Sequence, residues 1–131
     1  MYILGENPNG EWTEVIMREM NESDWKVLRE LHSIALERFC RQILLEVKQI
    51  DEDSAKSFHQ KYLDIFTLVR HRDREIARVF NNPRRSTALI QLAGMESRGL
   101  LTSDEYIRLS ERTRNTIASL LRSDTVGENN H

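Results

Sequence analysis

"QIDEDSAKSF", residues 49–58, is where a long amphipathic pattern first stops, and its reading decides the fold. Upstream of it, Trp25, Leu28, Ala35, Phe39, Ile43, Val47 and Ile50 recur at steps of three and four, with His32 filling the one gap. Downstream, Phe58, Tyr62, Ile65, Phe66, Val69, Ile76, Val79 and Phe80 repeat the spacing. The pattern predicts two long helices, at about 22–50 and 54–81, the first capped by Asn21 or Ser23. Asp51, Glu52 and Asp53 form a short acidic turn, and negative charge suits the helix start that follows. A connection so short makes the helices antiparallel, with facing residue numbers summing to about 105. That register sets Val47 against Phe58, Ile43 against Tyr62, Phe39 against Phe66, Leu28 against Ala77 and Trp25 against Phe80. It also places His32 opposite Asp73, so that the polar interlopers of the two seams meet.

Asn82 precedes Pro83 and is steered away from helix, which ends the second helix and suggests Asn82 as N-cap and Pro83 as first residue of a third, at about 83–98. That helix presents Ala88, Leu89, Leu92 and Met95, with Gly94 allowing a close approach. Gly99 suits the left-handed position of a Schellman stop, with Leu100 and Met95 as its apolar pair. Thr102 and Glu105 then have the spacing of a capping box, between the staple positions Leu101 and Tyr106. A last helix follows at about 103–122, through Tyr106, Leu109, Thr113, Ile117, Leu120 and Leu121, with Ser110 as a breaking point. The expected architecture is an all-α helical bundle of two long antiparallel helices and two shorter C-terminal ones. Residues 1–20 read as an extended arm or loose hairpin around "GENPNGEW", 21–122 as one helical domain, and 123–131 as a disordered tail.

With 131 residues, 39% hydrophobic and 31% charged, the composition is that of a globular domain able to bury a core. No run reaches the roughly 18 apolar residues of a membrane span, and no basic stretch leads into an apolar one at the start, so a soluble, cytoplasmic protein is expected. The lone Cys40 cannot form an intramolecular disulfide and reads as a small core residue.

Charge is uneven although the net value is only −2. Residues 1–24 hold six acids against Arg18, net −5, whereas residues 70–85 hold six arginines against Asp73 and Glu75, net +4. Arg70, Arg74 and Arg78 repeat every four residues, and Arg84, Arg85, Ser86 and Thr87 stand at the start of the third helix. These seven are the candidate anion-binding or partner-binding residues, since guanidinium groups and free helix amides both receive phosphates or carboxylates. Neither Arg84 nor Arg85 has an acid three or four positions on, so an internal partner must be remote, and Glu22 and Asp24 are the nearest in the expected hairpin.

His32 with Asp73 has the form of an oriented general base, and equally of a polar pair that fixes the hairpin register. The residues three before His32, His59 and His71 are Arg29, Lys56 and Leu68, so the Glu-x-x-His motif of di-iron bundles is missing, leaving His71 and Glu75 as a lone pair. Gly-rich phosphate loops, nucleophile elbows and His-Glu-x-x-His are missing too. No metal and no cofactor are expected.

"GLLTSDEYIRL", residues 99–109, resembles the turn of the small C-terminal helical hairpins found in many bacterial proteins. The resemblance implies a bacterial origin and an interaction role. The reading as a whole is a non-enzymatic regulatory or scaffolding module that self-associates or binds a partner protein, with Trp12, Val15 and Ile16 of the arm docking on a neighbour. The alternative is a nucleic-acid or phosphate-ligand binder working through the arginines, and a third reading is an enzyme built on His32 and Asp73.

Overall fold

The computed structural model describes residues 20–129, with side chains through residue 123. Five helices follow in order: α1 (Glu22–Asp51), α2 (Phe58–Phe80), α3 (Ala88–Ser97), α4 (Ser103–Tyr106) and α5 (Glu111–Asn129). No strand occurs among the described residues, and no helix there is long and apolar enough to cross a membrane. The protein is an all-α bundle. The expected arm, with Trp12, Val15 and Ile16, lies outside the described residues.

α1 starts where the Asn21 side chain accepts from the Asp24 amide at 2.8 Å, with Ser23 Oγ donating to the same oxygen. Its buried face is Leu28, Leu31, Ala35, Phe39 and Ile43, a single stripe at helical spacing. Beyond Ile43 the stripe ends: Leu44 and Leu45 are exposed, and the last two turns bury nothing.

α2 begins four residues later than expected. Its cap is Ser57, whose Oγ accepts from the Gln60 amide at 3.0 Å, and residues 52–57 make a wider turn. Within the turn Asp53 Oδ1 accepts from the Ala55 amide, Lys56 Nζ reaches Asp64 at 2.5 Å, and Lys61 Nζ donates to the Asp51 carbonyl. The late start combines with an axial stagger to shift the hairpin register. Arg72 pairs with Glu46, His32 reaches the Phe80 carbonyl, and Phe39 stacks on Phe80 with ring centroids 6.1 Å apart, so facing numbers sum to about 112–119 rather than about 105. Phe58, Tyr62 and Phe66 lie towards the turn, where no other described helix covers them. They are 87%, 64% and 51% exposed.

α2 buries only Glu75, Val79 and Phe80, all in its last two turns. The core gathers at that end, where Leu28, Leu31, Ala35 and Phe39 meet Val79, Phe80, Leu89, Leu92, Met95, Leu100, Leu109 and Ile117. Gly94 permits the α2–α3 approach, because a Cβ there would stand 3.1 Å from Val79 Cγ2.

The expected start of the third helix is corrected. Asn82 is left-handed (φ 49°), so it turns the chain instead of capping a helix, and the Thr87 amide closes a turn onto the Arg84 carbonyl at 3.0 Å. α3 begins at Ala88, with no side-chain cap from Thr87.

The next two devices form as their local chemistry dictates. Gly99 is left-handed (φ 68°), and the Leu100 and Gly99 amides bond the Met95 and Glu96 carbonyls. Thr102 and Glu105 complete the capping box at 3.2 and 2.9 Å. The chain then breaks after one turn of α4 and resumes as α5 beyond Ser110. α5 carries through residue 129 rather than ending near 122; no proline follows Leu121 to stop it.

Candidate interaction surface

Phe58, Tyr62, Phe66, Arg70, Arg74 and Arg78 lie on one row of α2 at four-residue spacing, and all six are exposed. Each step of four advances about 40° around a helix, so successive members of the row lie within reach of one another. The Tyr62 and Phe66 rings stack 6.5 Å apart at 22°, the Arg70 guanidinium lies 5.7 Å over the Phe66 ring, and Lys61 Nζ lies 5.5 Å from the Phe58 ring. Such cation–π contacts are weak at an exposed site, but they hold the rings upright against the helix. Leu63 and Val69, also exposed, border the row. The outcome is an aromatic half near the hairpin turn and an arginine half towards the core end.

The arginine between them behaves differently. Arg72 donates to both Glu46 carboxylate oxygens and to Glu75, and Arg98 donates to Glu75 from α3 at 2.9 Å. Burial pushes the Glu75 carboxyl up, but its bonds to Arg72 and Arg98 outweigh that and hold it below the ordinary value. A groove of about 230 Å³ lies over this network, lined by Phe39, Gln42, Glu46, Arg72, Glu75 and Arg98. Its charged walls are bonded to one another, which ties α1, α2 and α3 together. His71 Nε2 stands 3.5 Å from Glu75, on a carboxylate already engaged by the two arginines. Among the described residues no group of three or more His, Cys, Asp or Glu is placed to hold a metal ion.

Arg84 and Arg85 part company. Arg85 pairs with Glu22 and lies 5.9 Å over the Trp25 ring, whereas Arg84 is exposed. Ser86 and Thr87 are half-buried in the turn before α3. Asp24 makes no ion pair with either arginine. It is 1% exposed and accepts from the Ser110 amide (2.8 Å), Ser110 Oγ (2.7 Å), Thr113 Oγ1 (2.5 Å) and Asn21 Nδ2 (3.0 Å). A carboxylate of α1 thus terminates the N-terminus of α5, where the helix dipole favours it. Burial raises the Asp24 carboxyl, and the four hydrogen bonds more than reverse this, leaving it below its usual range.

His32 and Asp73 are not brought together. In the shifted register His32 Nε2 donates to the Phe80 carbonyl at 2.7 Å and its ring meets the Phe80 ring edge-on, while Asp73 is exposed. The oriented base foreseen from sequence is absent because the register that would build it does not form.

Sequence reasoning missed three things: Asp24, which resembled an ordinary first-turn acid; the Arg72–Glu75–Arg98 network; and the aromatic row, which was assigned to the core. The S-x-x-Q spacing of Ser57 and Gln60 was the available signal for the later helix start, and hence for the exposed row. No protein-family model matches the chain, and neither does any curated protein or solved structure.

Proposed function

We propose that this is a non-enzymatic interaction module, regulatory or scaffolding in kind and acting in the cytoplasm, whose working surface is the exposed aromatic row of α2 near the hairpin turn. One observation carries the reading: Phe58, Tyr62 and Phe66 are exposed on a helix face that no other described residue covers. Contiguous exposed aromatic surface of this kind is disfavoured in a protein that acts alone and is retained where a partner covers it. The charged groups around the groove support the same view, since they are spent on holding helices together.

The test is a photo-reactive phenylalanine analogue at position 66, with exposed Lys26 as control position, irradiated in cells that make the protein. Covalent adducts from position 66 and not from position 26 are the expected result. Equal, background-level adducts from both positions would overturn the reading.

A second reading, binding of single-stranded nucleic acid, is favoured by the continuation of the aromatic row into Arg70, Arg74 and Arg78. Stacking rings beside guanidinium groups are the elements of such sites. Fluorescence anisotropy of labelled oligonucleotides at two salt concentrations tests it. Binding whose salt slope falls in Arg74→Ala/Arg78→Ala supports this second reading, and its absence at low salt removes it.

A further inference from the structure

The interaction-module reading leaves the partner open; resting on that reading, we infer that the partner is a second copy of this chain, docked antiparallel along the row Phe58, Tyr62, Phe66 and Arg70. Two features of the surface converge on this.

The first is self-complementarity. A two-fold axis crossing α2 between positions 62 and 66 sets Tyr62 of each copy against Phe66 of the other and Phe58 against Arg70. Aromatic meets aromatic, and cation meets ring face, which is the contact Arg70 already makes with Phe66 within one copy. An interface of this kind uses one patch twice, as closed dimers do. The row is also a four-residue ridge, and ridges of that type from two helices interdigitate at a crossing angle of about −50°.

The second is area. Aromatic side chains present about 150–250 Å² each, so Phe58, Tyr62 and Phe66 at their observed exposures, with Leu63 and Val69 beside them, leave on the order of 500 Å² of apolar surface per copy. A stable specific interface buries about 800 Å² per partner, a little over half of it apolar. The patch is the size a dimer needs, and the two hairpin ends together make a four-helix unit in which each covers what the other leaves bare.

The experiment is sedimentation equilibrium on the full chain, from low micromolar to several hundred micromolar. The wild type is expected to rise from the monomer mass to twice that mass. Phe66→Glu is expected to weaken association by about thirtyfold or more, the scale of a buried aromatic anchor, while its circular dichroism and its melting at low concentration stay those of the wild type. A monomer at every concentration overturns the inference, as does a dimer indifferent to Phe66→Glu. If the wild type is monomeric while position 66 still forms adducts of other masses in cells, only the identity of the partner fails; if position 66 forms none, the interaction-module reading fails with it.

Discussion

The two ends of the α1–α2 hairpin are built from similar residues and do opposite things with them. At the end where α1 begins and α2 stops, Leu28, Leu31, Phe39, Val79 and Phe80 are covered by α3 and α5. At the turn, Phe58, Tyr62 and Phe66 have the same helical spacing and are covered by none of the other described residues. Apolar spacing therefore says which residues can be buried; burial itself requires a second surface within reach. If the two ends differ as described, substitutions should fall into two classes, severe at one and silent at the other.

The largest effect is expected for Leu92→Ala. Leu92 is 0% exposed at the centre of the packed end, so its truncation removes apolar contact and leaves a cavity. The expected loss is about 3 kcal/mol in chemical denaturation. A loss comparable to that of an exposed leucine would show that this end is loosely packed and the contrast false.

Asp24→Ala is expected to come next, at about 2 kcal/mol in the same measurement, because the amide and hydroxyl of Ser110 and the hydroxyl of Thr113 lose their acceptor in a buried site. Acid should reach the same place without mutation. Asp24 and Glu105 both have folded-state values below their unfolded ones, and the Arg38 fork is the chief reason that Glu105 falls to about 2. A carboxyl with a depressed folded value adds stability above its unfolded value and loses it as pH falls through the folded one. Melting temperature should thus hold near neutrality and drop between about pH 4.5 and pH 2, with a shallower drop in Arg38→Ala. An acid profile unchanged in Arg38→Ala would mean that the fork contributes nothing.

Gly99→Ala is smaller, about 1 kcal/mol by thermal melt, since it forces a Cβ into the left-handed conformation at φ 68° although space is open around it.

These positions also show why parts of the molecule could be read from sequence and parts could not. Gly99, Thr102 and Glu105 act on amides within five residues, so their pattern alone implied the turn. The hairpin register depended on the length of one turn. The acidic Asp51–Asp53 run drew the second helix forward to Ser54, whereas the Ser57 cap delays it to Phe58 and moves every facing pair. His32 and Asp73 were matched through that register and fell with it. Asp24 binds residues 86 and 89 positions away, a distance at which a lone acid carries no signal. Arg70, Arg74 and Arg78 were recognisable as a ridge, but its aromatic half was hidden by the assumption that large apolar residues point inward, which holds only statistically.

The smallest effect is the most discriminating. Phe58→Ser and Tyr62→Ser remove large rings from α2, and in any ordinary helix of a packed domain such changes would cost as much as Leu92→Ala. Here both rings face solvent in the isolated chain, and the contact each makes is with a neighbour on the same helix, Lys61 for Phe58 and Phe66 for Tyr62. The substitutions should shift stability by no more than about 0.5 kcal/mol, measured by denaturation at low micromolar concentration where copies are apart. At high concentration, where a dimer adds its binding free energy to the folded state, the same variants should melt below the wild type. Equal stability when dilute and unequal stability when concentrated can arise only if the surface is bare in one copy and covered in two. A loss already present at low concentration would instead place these rings in a core of the single chain, and the contrast between the two ends of the hairpin would disappear.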